Sequence, residues 1–279
     1  MQARQTVLRR EFLLGVHARL TDRDWDIVDV VGEHQVFTLD QLQLMFFPSR
    51  TRATVRLSEL RDMDVLDRFR SCRRPGSQRW RYTLGHVGAT IHAHRQGQKP
   101  PRPSDTMNRI STLASSRTMR HQLGVNQFVA QLVHEARLRP DVELECLSER
   151  NASVGLVGSA RPDARVRWRE DGHETTAWIE YDTGTEPHTR LLAKVAAYGN
   201  AMILGERPVL LFLLHSAARE AELQTRLRRL EGDHSWIATT LHEHLRDPAG
   251  PIWWPADGDR RVRLVELSSR QEAENRSVR

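Results

Sequence analysis

Three carboxylates stand out in the stretch RPDARVRWREDGHETTAWIEYDTGTE, residues 161–186. Asp163 precedes a β-like run, Ala164–Arg169, and Glu180 and Asp182 close a second, Thr175–Asp182. Between the runs lies EDGH, whose Asp-Gly pair signals a hairpin. Side chains alternate along a strand. Glu180 and Asp182 are therefore expected on one face, with Ile179 and Tyr181 on the other. Pairing of the two runs would bring Asp163 toward the acidic face. Clustered carboxylates repel one another, so a buried cluster needs a cation, and hard oxygen donors suit Mg²⁺ or Mn²⁺. The same spacing fits a solvated hairpin that carries surface acids. Tyr181 alternates away from the acids and is poorly placed to attack a phosphate held by them.

The rest of the chain must position these groups. Its 279 residues give room for two domains of ordinary size. No run of about 18 apolar residues occurs, so no membrane span is expected. The first residues lack an apolar core behind a basic start, so no signal peptide is expected either. Cys72 and Cys146 are far apart and fit no metal-ligand spacing. That suits a reducing compartment, and a cytoplasmic location is expected.

Charge is uneven. Residues 1–104 hold 18 Lys/Arg against 11 Asp/Glu, whereas residues 105–279 hold 24 against 25. The net charge of +6 comes entirely from the first third. A basic small domain beside a neutral larger one points to a polyanionic partner for the first, double-stranded DNA above all.

Residues 1–20 read as a basic, partly helical arm. Thr21 is an N-cap with Asp24 three residues on, and Trp25, Ile27, Val28 and Val31 give the helix that follows its apolar side. A second helix starts near Thr38 and stops at Pro48. A third runs from about Ser49 to Met63, burying Ala53, Leu57 and Leu60. VLDRFR and RWRYTL then flank SCRRPGSQ, a hairpin with a basic tip. Three short helices and a basic hairpin make a winged helix-turn-helix pattern, in which the third helix enters the major groove and the wing lies along phosphates. Arg50, Arg52, Thr54 and Arg56 would face DNA from the helix; Arg73, Arg74 and Arg79 would do so from the wing. A helical protein-interaction domain with a solvated Arg face is the competing reading. A helix over about Val87–His94 closes the domain.

QGQKPPRPS, residues 96–104, is a linker by composition. The expected division is residues 1–95 for the winged helix domain with its arm, 96–106 for the linker, 107–267 for a second domain and 268–279 for a polar tail. Two His-x-His pairs, His92/His94 and His242/His244, place their rings apart if helical, and read as surface histidines.

The second domain begins near Met107. Residues 121–137 form a helix, Val142–Leu147 a strand, and the acidic hairpin follows. Pro187–Leu204 is a helix with Leu191, Val195, Tyr198 and Met202 at helical spacing. PVLLFLLH, residues 208–215, is a continuous apolar run, the mark of a strand buried on both faces. Ala217–Leu230 is another helix, and SWIATTL and RVRLVEL are expected to add edge strands. An antiparallel meander followed by a crossover to a buried strand gives a mixed α/β sheet.

This order, with Pro162-Asp163 on one strand and Glu180-x-Asp182 on the next, resembles the core of the PD-(D/E)XK nuclease superfamily. The resemblance implies a restriction-endonuclease-like mixed α/β domain behind the winged helix, with the Asp and Glu holding a divalent cation. Such proteins usually carry a Lys two residues after the Glu; here that position is Asp182. Lys194, one of two lysines in the chain, is the substitute the next helix offers. Glu186, Arg190 and Lys194 share a face of that helix.

The winged helix, the Pro-rich linker, the LGVN helix (HQLGVNQFVAQLVHEAR, residues 121–137), RPDA and the E-x-D-x-G-T-E string Glu180–Glu186 together resemble the replication-relaxation family of plasmids and integrative conjugative elements. The resemblance spans about residues 20–215. It implies DNA binding and a part in replication or mobilisation, alongside other proteins of the element. Asp163, Glu180 and Asp182 are then the expected Mg²⁺ or Mn²⁺ ligands of a DNA-nicking nuclease, with Lys194 or Arg190 offsetting phosphate charge. The reading of another class is a non-catalytic regulator, whose degenerate nuclease-like domain serves dimerisation or partner binding.

Overall fold

The computed structural model describes residues 15–70, 79–156, 158–201 and 208–268. The chain forms two compact units, Met1–Asn126 and Gln127–Arg279. Their boundary falls inside a helix, later than the Pro-rich segment. Residues 107–126, expected in the second domain, pack in the first unit.

The first unit opens with α1 (Asp22–His34). Thr21 caps it as expected: the Asp24 carboxylate accepts from the Thr21 N–H at 2.8 Å and from its hydroxyl at 2.7 Å. β1 (Phe37–Thr38) leads directly into α2 (Leu39–Phe46), capped by Thr38 with Gln41 closing the box. Pro48 ends the helix, and Ser49 caps α3 (Arg50–Asp62), whose Ala53, Leu57 and Leu60 are fully buried. β2 (Leu66–Phe69) and β3 (Arg81–Leu84) pair antiparallel, with β1 added to β3. The hairpin tip that holds Arg73 and Arg74 lies outside the described residues. α4 (His86–Arg95) follows.

Two additions extend this unit. α5 (Pro103–Ser115) starts within the expected linker, with Pro103 at its first position, where the missing N–H costs nothing. α6 (Met119–Leu138) begins in this unit too. Its Asn126 is fully buried and donates to the carbonyls of His34, at 3.1 Å, and Val36. Gln41 donates to the Leu123 carbonyl at 2.9 Å. The LGVN residues thus tie α6 to the turn between α1 and β1, beside an apolar cluster of Val36, Phe69, Leu113, Ala114 and Met119.

The second unit is built on a six-stranded mixed sheet, ordered β4-β5-β6-β7-β8-β9. β4 (Glu143–Ser148), β5 (Ala164–Glu170) and β6 (His173–Tyr181) form the antiparallel meander, with the short α7 (Glu149–Ala152) after β4. Asp171 and Gly172 make the β5–β6 turn, and both have positive φ, as a two-residue I′ turn requires. From β6 the chain crosses through α8 (His188–Asn200) to β7 (Val209–Leu214), and through α9 (Ala217–Leu227) to β8 (Ile237–Leu241). β6, β7 and β8 are parallel.

Every residue of β7 is buried, as its unbroken apolar run requires. Trp178, Leu210, Phe212 and Leu214 pack with Leu191, Val195 and Tyr198 of α8 and Leu223 and Leu227 of α9. Each such side chain contributes roughly 1.5–3 kcal/mol on burial, which anchors both helices to this face of the sheet.

The C-terminal segment departs from expectation. RVRLVEL is not a strand; Val262 alone bridges to Trp253, and the edge strand is β9, Trp254–Pro255. Charged side chains hold the segment instead of a ladder. Arg261 donates to the buried Glu220 at 2.5 Å, Arg263 donates to Glu170 at 2.6 Å, and the Thr175 hydroxyl donates to the Leu264 carbonyl at 3.1 Å. No helix among the described residues is long and apolar enough to cross a membrane.

Candidate functional site

Glu180 sits near the end of β6, where the parallel strands β6 and β7 turn out of the sheet. Alternation along β6 points it, like Trp178, toward α8, and its residue is 3% exposed. Both of its oxygens are engaged. Lys194 donates to Oε2 at 2.7 Å and the Tyr198 hydroxyl donates to Oε1 at 2.5 Å. Lys194 and Tyr198 are four apart on α8, so they meet Glu180 from one helix face. Lys194 also lies 3.3 Å from Glu186, which in turn meets Arg190 at 3.3 Å.

Asp163 comes to this place through the backbone. It lies one residue before β5, and its N–H donates to the Ile179 carbonyl at 2.9 Å. Its Oδ2 accepts from the Tyr181 N–H at 2.8 Å. Burial and then the Asp163 charge push the Glu180 carboxyl up to about 7; Lys194 and Tyr198 oppose that rise without cancelling it. Burial would lower Lys194, but the Glu180 charge and hydrogen bond, with the charges of Glu186 and Asp163, together outweigh it and hold the ammonium above its ordinary range. Burial also drives the Tyr198 phenol up, reinforced by Glu180, so it is a fixed donor.

Asp182 does not join the other two. It lies one residue beyond the end of β6, where strand alternation no longer governs its direction. Its N–H donates to the Leu213 carbonyl at 2.9 Å, and its carboxylate takes both Nε and Nη2 of Arg219, the latter at 2.9 Å. His215 Nδ1 is 3.6 Å away. Gly184 makes room here: it has φ of 80°, and a Cβ would lie 2.4 Å from the His215 ring. Among the described residues no group of three or more His, Cys, Asp or Glu is arranged to hold a metal. The expected three-carboxylate cage is therefore reduced to Asp163 and Glu180. Two carboxylates still fit a small hard cation, because Mg²⁺ commonly takes one or two and fills its shell with water and phosphate oxygens.

On the opposite face, Tyr181 stacks on His242, ring centres 4.1 Å apart, with its hydroxyl 3.3 Å from Nδ1. His242 Nε2 is 3.0 Å from the Leu213 carbonyl and must donate to it, so Nδ1 is the acceptor. Tyr181 is thus directed away from Glu180, as alternation requires. His92 and His94 lie on α4, and His242 and His244 on a short 3₁₀ turn.

In the first unit the arginines expected on α3 separate into three kinds. Arg52 is exposed and makes no side-chain hydrogen bond or ion pair among the described residues. Arg50 is paired with Asp40, as is Arg79 at 2.5 Å. Arg56 is turned inward, donating through Nε and Nη2 to the buried Asp24 at 3.1 and 2.6 Å and through Nη2 to the Arg19 carbonyl at 2.9 Å. Thr54 is exposed, its hydroxyl on the Arg50 carbonyl at 2.9 Å, and Val55 beside it is 55% exposed. Arg73 and Arg74 lie outside the described residues.

Sequence reasoning missed Tyr198, Arg219 and Asp40 as partners. Tyr198 carried a usable signal, since it stands four residues after Lys194. Arg219 had none, because only the crossover to β7 brings α9 beside Asp182. A family model described as Replication-relaxation matches residues 29–206. No curated protein matches the chain. The chain belongs to the replication-relaxation family, and membership implies a role related to plasmid replication.

Proposed function

We propose that the chain is a DNA-binding protein of a plasmid or integrative conjugative element, acting in replication or mobilisation through a winged helix that engages double-stranded DNA. The observation that carries this reading is the outward face of α3. Arg52, Thr54 and Val55 are exposed there, and among the described residues Arg52 has no side-chain partner. A recognition helix offers this combination: a guanidinium fork for guanine and a small apolar group for a thymine methyl. The β2–β3 hairpin, with its basic tip, would lie along phosphates as the wing. Electrophoretic mobility shift on fragments of the host element tests it; no shift at low salt would end the reading.

The second unit is read as a PD-(D/E)XK-like nuclease domain. Asp163 and Glu180 would hold a divalent cation, Mg²⁺ or Mn²⁺, which when bound supplies an activated water and offsets charge on the phosphate. Lys194 stands on Glu180, where its ammonium can neutralise a phosphate oxygen. Tyr198 orients the Glu180 carboxylate. Arg190 is 69% exposed and adds positive charge at the same face of α8. Nicking of a supercoiled plasmid from the host element, with and without Mn²⁺, tests this part.

A second reading is favoured by a specific pair: Asp182 is sealed by Arg219, and Glu180 already has a partner on each oxygen. Fully satisfied carboxylates suit a rigid, non-catalytic domain for dimerisation or for other proteins of the element. Wild-type protein that binds DNA but neither nicks it nor responds to metal would select this reading.

A further inference from the structure

The start of α2, the start of α3 and the strand β3 enclose a cavity of about 240 Å³. Its lining includes Asp40, Arg50, Arg70, Arg79, Trp80 and Tyr82. Three guanidinium groups therefore face one carboxylate.

Asp40 is the second residue of α2, at the end where the helix dipole and free N–H groups favour an anion. Arg50 reaches its Oδ1 and Arg79 reaches its Oδ2. These contacts are loose in one sense: the Arg50 and Arg79 side chains are 62% and 82% exposed, and exposed ion pairs contribute little. Both arginines can move to another anion at small cost.

Arg70 differs. Its guanidinium lies over the Trp80 ring at 4.0 Å, with Arg68 over the same ring at 4.1 Å. Stacking uses the flat face of the group and leaves the N–H edges available. Among the described residues Arg70 makes no hydrogen bond or ion pair. A phosphodiester carries the same single charge as a carboxylate and offers two free oxygens to guanidinium forks. A helix N-terminus is suited to hold it.

We propose that this cavity takes one backbone phosphate of duplex DNA through Arg50, Arg70 and Arg79, and that Asp40 is a built-in competitor occupying that place in the free protein. The proposal rests on the DNA-binding reading of this unit and adds a residue that opposes binding. Asp40 would weaken the grip on any DNA sequence. Release of the protein from non-cognate DNA would then be faster than its basic charge alone allows.

The test is duplex affinity by fluorescence anisotropy across a salt series, with wild type, Asp40→Asn, Arg70→Ala and the double variant. Asp40→Asn keeps the shape and removes the competitor. It should tighten binding about three- to tenfold and steepen the log–log salt slope by about one. Arg70→Ala should weaken binding in both backgrounds and reduce the slope by about one. A parallel titration with inorganic phosphate separates a small-anion site from a nucleic-acid site. Tighter phosphate binding by Asp40→Asn with unchanged DNA affinity would overturn the assignment to DNA. Wild-type binding to duplex with no gain in Asp40→Asn, or no loss in Arg70→Ala, overturns the proposal and leaves the DNA-binding reading standing. Failure of every form to bind duplex at low salt removes both. Arg70 is exposed, so its variant keeps the test open should Asp40→Asn misfold.

Discussion

Arg56 of α3 grips Asp24 of α1 with two hydrogen bonds, Nε to Oδ1 at 3.1 Å and Nη2 to Oδ2 at 2.6 Å. Asp24 is fully buried and also serves as the acidic half of the α1 capping box. Burial alone would raise its carboxyl, but the hydrogen bonds from Arg56 and Thr21 win and hold it below its ordinary value. The guanidinium that spacing placed beside Arg52 on a DNA-facing surface is thus a cross-link between two helices.

Arg56→Ala should therefore destabilise the first unit, by about 3–5 kcal/mol, because it leaves a buried carboxylate unpaired. Arg52→Ala should leave stability unchanged and weaken binding to a preferred DNA site by about 1–3 kcal/mol. Urea denaturation of both variants beside mobility-shift titrations separates the roles. Equal stability loss in the two would contradict the assignment. On the DNA-binding reading, Arg73→Ala with Arg74→Ala should instead lower affinity for all sequences and flatten the salt dependence.

Metal should stabilise the second unit through two carboxylates. Wild-type melting temperature should rise with Mn²⁺ concentration, since a cation that binds only the folded state adds its binding free energy. Glu180→Gln and Asp163→Asn should each abolish that rise. Asp182→Asn should keep the rise while lowering the melting temperature in its absence, because Arg219 loses its ionic partner. Calorimetry reads all four; a metal effect lost in Asp182→Asn as well as in the other two variants would restore the three-carboxylate cage.

The pH dependence follows from Glu180. Its carboxyl titrates near 7 in the folded chain against 4.5 for an ordinary Glu. Between those values the native state holds a proton that the unfolded chain has released. Stability should fall as pH rises through that window, by on the order of 2–3 kcal/mol. Glu180→Gln should remove this slope and gain relative to wild type at pH 8. Denaturant melts at pH 5 and pH 8 would show it; parallel curves for the two proteins would refute the buried-carboxylate account.

Asn126→Ala should cost about 1–3 kcal/mol by removing the buried side-chain donor to the Val36 carbonyl and leaving the His34 carbonyl with the Val36 N–H as its remaining backbone donor. Asn126→Asp should do at least as much harm, since a carboxylate cannot donate. Hydrogen exchange at the α1–β1 turn, faster in both variants, would localise the loss.

Read alone, the sequence determined what local chemistry controls. Thr21 with Asp24, Thr38 and Ser49 started three helices, and Pro48 separated the second from the third. Asp171-Gly172 set a two-residue turn that no other nearby pair could make so readily. The unbroken apolar run over β7 announced a strand buried on both faces. The α8 spacing also placed Glu186, Arg190 and Lys194 together, and the hairpin carried Asp163 to Glu180. These features depend on neighbours within a few residues or on one short pairing.

The tertiary structure decided what depends on distant segments. Asp182 and Glu180 share a period-2 spacing, yet the strand ends between them and α9 offers Arg219 to the first alone. Arg56 and Arg52 share a helix face by spacing, but α1 presents a buried acid to Arg56. Arg261 and Arg263 read as part of a strand and instead pair with Glu220 and Glu170. In each case a charged side chain took the partner that folding brought nearest, because an ion left unpaired away from water costs more than any local preference supplies.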